Sequence, residues 1–341
     1  VQHREVVTDF ADQLHQEFMQ PIQLQGRSIS TPLSIGIAFT QPGYDHKAED
    51  LLRDAHTAMY RAKALGKARH EVFATGMLTE VLNRLQLESD MRKGMEKSEF
   101  SLNYQPIVSL KTGRIAGFEA LARWLQDQRR SISPVAFIPV AEETGLIVPL
   151  GQWIFEEACT QAQRWQTEFS DANLSMSINL SSRQFAQADL AEQLSQILQK
   201  TQVQGKHIKI EITESMVMGD MDAAIDLMLN LKTLNLHLGI DDFGTGYSSL
   251  SYLHRFPMDT LKVDRSFVSR MEESSEDYEI VRTIITLGHN LGMDVVAEGV
   301  ETNSQVKLLR ELGCEYGQGY FFARPLTAEA ASALLRQNPK W

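Results

Sequence analysis

The sequence predicts an α/β protein: a (β/α)8 barrel of the TIM type that follows part of a smaller α/β domain. Three observations predict the barrel. Short apolar runs alternate with helical patterns of ten or more residues, which is typical of βαβ units around a parallel sheet. Seven or eight such units within about 240 residues match the size of a closed barrel. The runs also end in polar residues, and enzymes of this fold place their chemistry at the carboxyl ends of the strands.

The pattern of helices and strands in residues 1–75 predicts part of an α/β domain. A helical stretch covers 10–18, and a strand pair covers 22–24 and 28–39. A second helix runs from Ala48 to about Leu65. Because only one or two strands are visible to support two helices, the pattern predicts roughly half of a domain.

The spacing of apolar residues in 76–97 predicts one amphipathic connector helix, since they recur near helical spacing among charged residues. The favoured interpretation is a connector that packs on a neighbouring element. A coiled-coil or dimer seam is the alternative, but the segment is short for one. The barrel then occupies residues 98–341.

The predicted barrel strands end in oxygen-bearing or charged side chains. Helical patterns separate them, for example at 223–234, 277–291 and 304–312. The side chains at these strand ends, or just beyond them, are Glu119, Asn179, Glu211, Glu214, Asp241, Asp242, Lys262, Asp264, Glu298, Glu301 and Gln318.

The adjacent carboxylates Asp241 and Asp242 lead directly into a glycine-rich turn. Neighbouring strand residues point to opposite faces, so both can serve one site only where the backbone bends. Like charges this close repel each other unless a cation lies between them. Taken alone, the pair could be a capped strand end, but the whole set of strand ends predicts a metal site. Its donors are oxygens without His or Cys, which favours Mg²⁺ or Mn²⁺ over Zn²⁺.

Composition excludes several classes of protein. Thirty-three basic against forty-four acidic residues give a net charge of −11, which argues against a broad face for duplex nucleic acid. The two cysteines, Cys159 and Cys314, form no disulfide framework, as expected for a reducing cytoplasm. No apolar run approaches the roughly 18 residues of a membrane span. Because the chain begins with Val1, we expect upstream sensory or membrane-linked parts to be missing from it.

The chain from about 98 to 338 resembles the EAL domain, the cyclic di-GMP phosphodiesterase family. The resemblance rests on residues 104–108 (YQPIV), 119–121 (EAL), 137–145 (FIPVAEETG), 178–181 (INLS), 211–215 (EITES), 241–244 (DDFG), 261–264 (LKVD), 297–301 (AEGVE) and 317–320 (GQGY). It implies a barrel with one antiparallel strand near its start.

The first 75 residues resemble the rear half of a GGDEF (diguanylate cyclase) domain, through residues 34–38 (SIGIA), 50–52 (DLL), 58–63 (AMYRAK) and Gly66. The signature loop that supplies the cyclase nucleotide site is absent from the sequence. His56 also stands where that family more often has Asp. We therefore expect no cyclase activity from this chain.

The EAL resemblance implies roles for individual residues. Two ions, Mg²⁺ or Mn²⁺, are expected in the site, and Ca²⁺ is expected to bind and inhibit. Glu119, Asn179, Glu211 and Asp241 would hold one ion. Asp241 would bridge to a second ion held by Asp242, with Glu298 and Glu301 close by.

The remaining implied roles concern proton transfer, substrate and support. Glu298 would be the general base, and Lys262 would orient or stabilise the attacking water. Gln105 and Arg123 would contact the base and phosphate of the dinucleotide. The supporting residues would be Gln318 near the metal waters, Glu214 under the loop 244–246, and Asp264 as a hydrogen-bond anchor at its strand end.

The expected function is metal-dependent hydrolysis of cyclic di-GMP to linear 5′-pGpG by a two-metal mechanism. The resemblance also implies a homodimer through the loop and helix around 242–254. One alternative is a receptor that binds the cyclic dinucleotide without cutting it. Another is a different Mg²⁺-dependent barrel enzyme, for instance one acting on a sugar phosphate.

Overall fold

The computed structural model describes residues 2–19, 22–24, 27–29, 32–40, 47–65, 68–127, 130–217, 221–244 and 253–341. The chain divides into two compact units, Val1–Asp90 and Met91–Trp341. In the described residues, no helix is both long and apolar enough to cross a membrane.

The described residues of the first unit form two complete helices, two pairs of short strands and most of the connector helix. The helices are α1 (Gln2–Met19) and α2 (Ala48–Ala64), close to the predicted ones. Strands β1 (Ile22–Leu24) and β2 (Arg27–Ile29) pair antiparallel, and the predicted turn between them lies outside the described residues.

The predicted strand over 28–39 is instead two strands, β2 and β3 (Ile35–Ile37), and β3 pairs in parallel with β4 (His70–Val72). Helix α2 packs closely on β3, because a Cβ at Gly36 would lie 1.9 Å from the carbonyl oxygen of Ala55. Strand β4 was not predicted, since its three residues are too few to display an alternating pattern.

The predicted connector is a single helix, α3 (Thr75–Glu96). Its apolar residues are not confined to one side, because Met91 is fully buried whereas Leu82 and Leu85 are exposed. The helix prediction is therefore confirmed, and the prediction of a one-sided amphipathic helix is wrong.

Eight described strands of the second unit close into a barrel. In chain order they are β5 (Phe100–Ser109), β6 (Ile115–Gln126), β8 (Ser175–Asn179), β9 (Ile208–Thr213), β10 (His237–Phe243), β11 (Thr260–Val263), β12 (Asp294–Ala297) and β13 (Tyr316–Gln318). Strand β7 (Arg130–Ile132) extends the sheet beyond β6. Strand β5 runs antiparallel to both of its neighbours, β6 and β13, and the other barrel pairings are parallel. The single antiparallel strand near the start is thus confirmed.

Helices alternate with the parallel strands, as the sequence predicted. They are α4 (Pro134–Thr144), α5 (Ile147–Glu168), α6 (Ser182–Phe185), α7 (Leu190–Thr201), α8 (Met221–Thr233), α9 (Arg265–Val268), α10 (Ser275–Asn290), α11 (Asn303–Glu311) and α12 (Ala328–Gln337). The predicted helices 223–234, 277–291 and 304–312 correspond to α8, α10 and α11 with ends shifted by one or two residues. Helix α11 starts at a capping box, in which Thr302 and Gln305 satisfy each other's backbone N–H groups.

Strand β9 illustrates how the barrel separates its two faces. Ile208, Ile210 and Ile212 are buried and belong to the main apolar core. Lys209 and Glu211 alternate with them and therefore face the barrel interior. Lys209 and Glu211 can be polar because the apolar residues on the opposite face of the strand fill the layer between the strand and the helices.

One predicted strand end differs from the structure. Strand β6 does not end at Glu119 but continues to Gln126. The extension exists because β6 pairs antiparallel with β5 as far as Trp124, opposite Phe100. Glu119 nevertheless lies near the end of its parallel neighbour β8, because it pairs with Ser177, two residues before that end.

Candidate active site

Lys262 lies at the centre of the acidic strand ends. It occupies the interior face of β11, and its side chain is fully buried. Its Nζ lies 2.7 Å from Glu211 Oε2, 2.7 Å from Glu298 Oε1, 3.1 Å from Asp241 Oδ1 and 3.7 Å from Glu119 Oε2. One ammonium therefore contacts carboxylates from four other strands or strand ends.

Glu119 links this cluster to a chain of amides. Asn179 Nδ2 donates to Glu119 Oε1 at 2.6 Å, and Gln318 Nε2 donates to Glu119 Oε2 at 2.6 Å. Gln318 Nε2 also lies 3.4 Å from Gln105 Oε1, and Gln105 Nε2 donates to the carbonyl oxygen of Ala323 at 3.4 Å. Both oxygens of Glu119 are thus held in place from opposite sides.

Asp241 and Asp242 reach the same site because the strand bends between them. Asp242 has a φ of 54°, in the left-handed region, and the register of β10 with β11 shifts between Ile240 and Phe243. The Asp242 backbone N–H donates to Asp241 Oδ1 at 3.0 Å. Carboxylate oxygens of Asp241, Asp242 and Glu298 lie within 4.8 Å of one another, close enough to share a metal ion.

The charges of the cluster do not balance. Among the described residues, the ammonium of Lys262 faces five carboxylates, those of Glu119, Glu211, Asp241, Asp242 and Glu298. Burial and the neighbouring acids raise the pKa of Glu211 to about 7 and that of Glu298 to about 8, against the opposing pull of Lys262. Burial and Asp241 likewise raise the pKa of Asp242.

The pKa of Lys262 shifts in the direction that keeps it charged. Burial alone would lower its pKa, but the surrounding carboxylates raise it well above the ordinary value. Glu211 Oε1 is buried and accepts no hydrogen bond from the described part of the chain. The excess of negative charge and this unpaired oxygen fit hard divalent cations.

Arg123 lies at the edge of the cluster. Its Nη1 donates to the carbonyl oxygen of Ala122 at 2.8 Å, and the side chain is half-buried. Burial lowers its pKa, against the opposing charges of Tyr320 and Glu119. Tyr320 is exposed, and the guanidinium of Arg324 lies 4.5 Å from its ring centroid.

Sequence reasoning assigned no role to Tyr320 or Arg324. Tyr320 belongs to the segment GQGY, but only its proximity to Arg123 in the fold draws attention to it. An exposed aromatic ring stacked on a guanidinium beside an acidic site offers a flat surface for a ligand.

Three other predicted site residues lie around the cluster. Asp264 caps α9, since its Oδ1 accepts from the Ser266 N–H at 2.9 Å. Glu301 is exposed, and its backbone N–H donates to Gln305 Oε1 at 2.8 Å. Glu214 is buried, and its Oε2 accepts no hydrogen bond from the residues that the structure describes. The loop that Glu214 was predicted to support lies largely outside those residues, as does most of the predicted dimer segment 242–254.

Fold and site together define a barrel protein with a cluster of carboxylate and amide groups at the carboxyl ends of its strands. Comparison with known families agrees with this class. Residues 88–325 match the EAL domain, and residues 1–69 match the diguanylate cyclase GGDEF domain. The chain belongs to the EAL domain family.

Individual relatives resemble the chain over nearly its full length. The bifunctional diguanylate cyclase/cyclic di-GMP phosphodiesterase MucR of Pseudomonas aeruginosa is 39% identical over 94% of this chain and 46% of its own length. The cyclic di-GMP phosphodiesterase NbdA of the same organism is 36% identical over 96% of this chain and 41% of its own length. The chain thus spans less than half the length of these relatives.

A solved structure described as the PaMucR phosphodiesterase in complex with c-di-GMP is also similar. It has a TM-score of 0.69 and 41% identity, covering 72% of this chain and 99% of that chain.

Proposed function

We propose that this chain hydrolyses cyclic di-GMP to the linear dinucleotide 5′-pGpG. The observation that carries the proposal is the convergence of Glu119, Glu211, Asp241 and Glu298 on Lys262 within 2.7–3.7 Å. Membership of the EAL domain family and the names of its relatives support the same reaction and substrate.

The metal assignment follows from the donor set. Glu119, Asn179, Glu211 and Asp241 would hold one Mg²⁺ or Mn²⁺, and Asp241 and Asp242 would hold a second. The excess acidity of the cluster and the unpaired Glu211 Oε1 support this fit. When bound, such ions polarise the phosphoryl oxygens and acidify a water.

The protein residues position the charges and move the proton. Lys262 neutralises part of the acidic cluster and keeps its carboxylates in one arrangement. Glu298 accepts the proton of the water that attacks phosphorus. The bond from phosphorus to the 3′ oxygen then breaks, that oxygen takes up a proton from water and becomes a 3′ hydroxyl, and the phosphate stays on the 5′ oxygen of the linear product.

The residues that would bind the substrate lie on β5, β6 and β13. Arg123 offers the forked donors that suit a phosphate oxygen pair. Gln105 would contact the base, and Gln318 would support the site. Both continue the hydrogen-bond chain that starts at Glu119.

The test is turnover by the purified chain with Mg²⁺ or Mn²⁺, measured as formation of linear product. We expect turnover with either ion and inhibition by Ca²⁺. Glu298→Gln should lower kcat by about 10²–10⁴-fold, the usual contribution of a general base. Glu311→Gln, an exposed change at the end of α11, is the matched control and should leave kcat unchanged.

The alternatives give different results. Saturable cyclic di-GMP binding without product under either ion would identify a receptor and reject the hydrolase. Turnover of a sugar phosphate without turnover of cyclic di-GMP would identify a different barrel enzyme.

Several wider expectations accompany this proposal. We expect residues 1–75, 76–97 and 98–341 to form separate parts of the chain. We also expect the chain to act in the cytoplasm and to form a homodimer through the segment around 242–254. Its partial cyclase-like region carries no cyclase activity, because the sequence lacks the signature loop. Sedimentation measurements that find only a monomer at micromolar concentration would reject the dimer.

A further inference from the structure

The barrel has a cavity at the end opposite to the Lys262 cluster. Its volume is about 1160 Å³. The first residues of five strands line it: Ser175, His237, Thr260, Asp294 and Tyr316. These residues mark the amino-terminal ends of the parallel strands, whereas the acidic cluster lies at the carboxyl ends.

Lys209 extends into this cavity from the inner face of β9. It lies two residues before Glu211 on the same face, and it is one of the residues that line the cavity. Gly239 on β10 lies beside both side chains, because a Cβ there would be in ordinary contact, 3.6 Å from Lys209 Cδ and 3.6 Å from Glu211 Cγ. Lys209 therefore forms the inner end of the cavity, beneath the acidic cluster.

The ammonium of Lys209 has no close counterion in the described part of the chain. No hydrogen bond joins its Nζ to a described residue, and no carboxylate of one lies within ion-pair distance. Lys209 is half-buried, so its ammonium is partly desolvated at the inner end of the cavity, and a bound anion would offset that cost.

Other charges around the cavity leave an excess of cations. Asp259 is neutralised by Lys232, whose Nζ lies 2.7 Å from Oδ1. Glu168 pairs with Arg336. Among the described lining residues, Lys209, Lys206 and Arg114 have no carboxylate at ion-pair distance. Asp294 has no cation at that distance, although it attracts Lys209 from further away.

A second unpaired donor lies beside Lys209. Ser177 is its direct neighbour across β8 and β9, and its side chain is fully buried. Its Oγ has no hydrogen-bond partner among the described residues. Ser177 shares the inner strand face with Ser175 but does not line the cavity, so Lys209 is the residue of this pair that a ligand there can reach.

We propose that this cavity binds a small organic anion, with its carboxylate or phosphate group received by Lys209. Ile107, Ile115, Phe169 and Leu335 supply apolar wall for the rest of the molecule, and Arg114 and Lys206 attract the anion at the mouth. The cavity is somewhat larger than the about 300–1,000 Å³ usual for small-molecule pockets, so it has room for a metabolite-sized ligand. The site is independent of the proposed hydrolysis, because it opens at the other end of the barrel.

Calorimetric titration of the full chain with inorganic phosphate, glycerol 3-phosphate and succinate tests the proposal. EDTA removes metals from the acidic cluster, and sodium chloride holds the ionic strength constant. We expect saturable binding of at least one probe. Lys209→Met should weaken it roughly ten- to hundredfold, the worth of one hydrogen bond to a charged group, whereas Lys209→Arg should retain it. Lys200→Met is the matched control, because Lys200 pairs with Glu156 on the surface, outside the cavity.

Two results would overturn the proposal: no saturable binding of any probe, or equal affinity in wild type and Lys209→Met. If near-ultraviolet circular dichroism shows that Lys209→Met does not fold, a phosphate-soaked crystal of the wild type decides. Density within hydrogen-bond distance of Lys209 Nζ supports the site, and an empty cavity at saturating phosphate rejects it.

Discussion

Replacing Lys262 with methionine removes the only ammonium among the described residues that contacts Glu211, Glu298 and Asp241 together. Methionine keeps the volume of the buried side chain, so the change tests charge rather than packing. Removing one partner of a buried ion pair costs about 3–5 kcal/mol, because the other charge stays buried without compensation. In a unit of this size each kcal/mol shifts the melting temperature by about 2–4 °C. In EDTA, we therefore expect a melting temperature roughly 6–20 °C lower than that of the wild type.

The assay is thermal unfolding of wild type and Lys262→Met in EDTA and again with saturating Mn²⁺. Mn²⁺ binds the folded state and supplies positive charge to the same carboxylates, so the deficit should shrink when it is present. Lys200→Met removes a lysine from an exposed pair at 2.6 Å and should cost at most about 1 kcal/mol. Equal melting temperatures for the two variants in EDTA would refute the role of Lys262 as the internal counterion.

Three further outcomes are expected. Gly319→Ala should unfold the barrel or prevent its expression, because a Cβ would lie 2.0 Å from the carbonyl oxygen of Val300. Gly239→Ala is the control: a Cβ there would have no atom nearer than 3.6 Å, so the variant should fold normally by circular dichroism. Thr302→Ala should lower the free energy of unfolding by about 1 kcal/mol in denaturant titration, through loss of the cap of α11, and an unchanged midpoint would contradict the cap. Asp242→Asn should abolish most of the Mn²⁺-induced rise in melting temperature without lowering the metal-free value, because it removes one ligand and one repelling charge; an unaltered response to Mn²⁺ would rule out Asp242 as a ligand.

Much of the barrel follows from local patterns in the chain. Ile208, Ile210 and Ile212 alternate with polar residues, and the helices between strands have a regular apolar period. Such signals need only neighbouring residues, so the helices at 223–234, 277–291 and 304–312 were predicted to within one or two residues. Short elements, and the region 28–39 that forms two strands, were not predicted correctly. Strand β4, for example, has only three residues, too few to show an alternating pattern.

The sequence by itself determined the fold class, the oxygen-donor character of the site and its position at the strand ends. Only the tertiary structure decided how these donors are arranged. The pairing of β5 with β6 carried the strand past Glu119, and the left-handed backbone of Asp242 brought two adjacent carboxylates to one side. Closure of the barrel put Lys262 between four carboxylates and left Lys209 without a described partner at the opposite end. Such charge balances depend on distances between strands far apart in the chain, which no local pattern encodes.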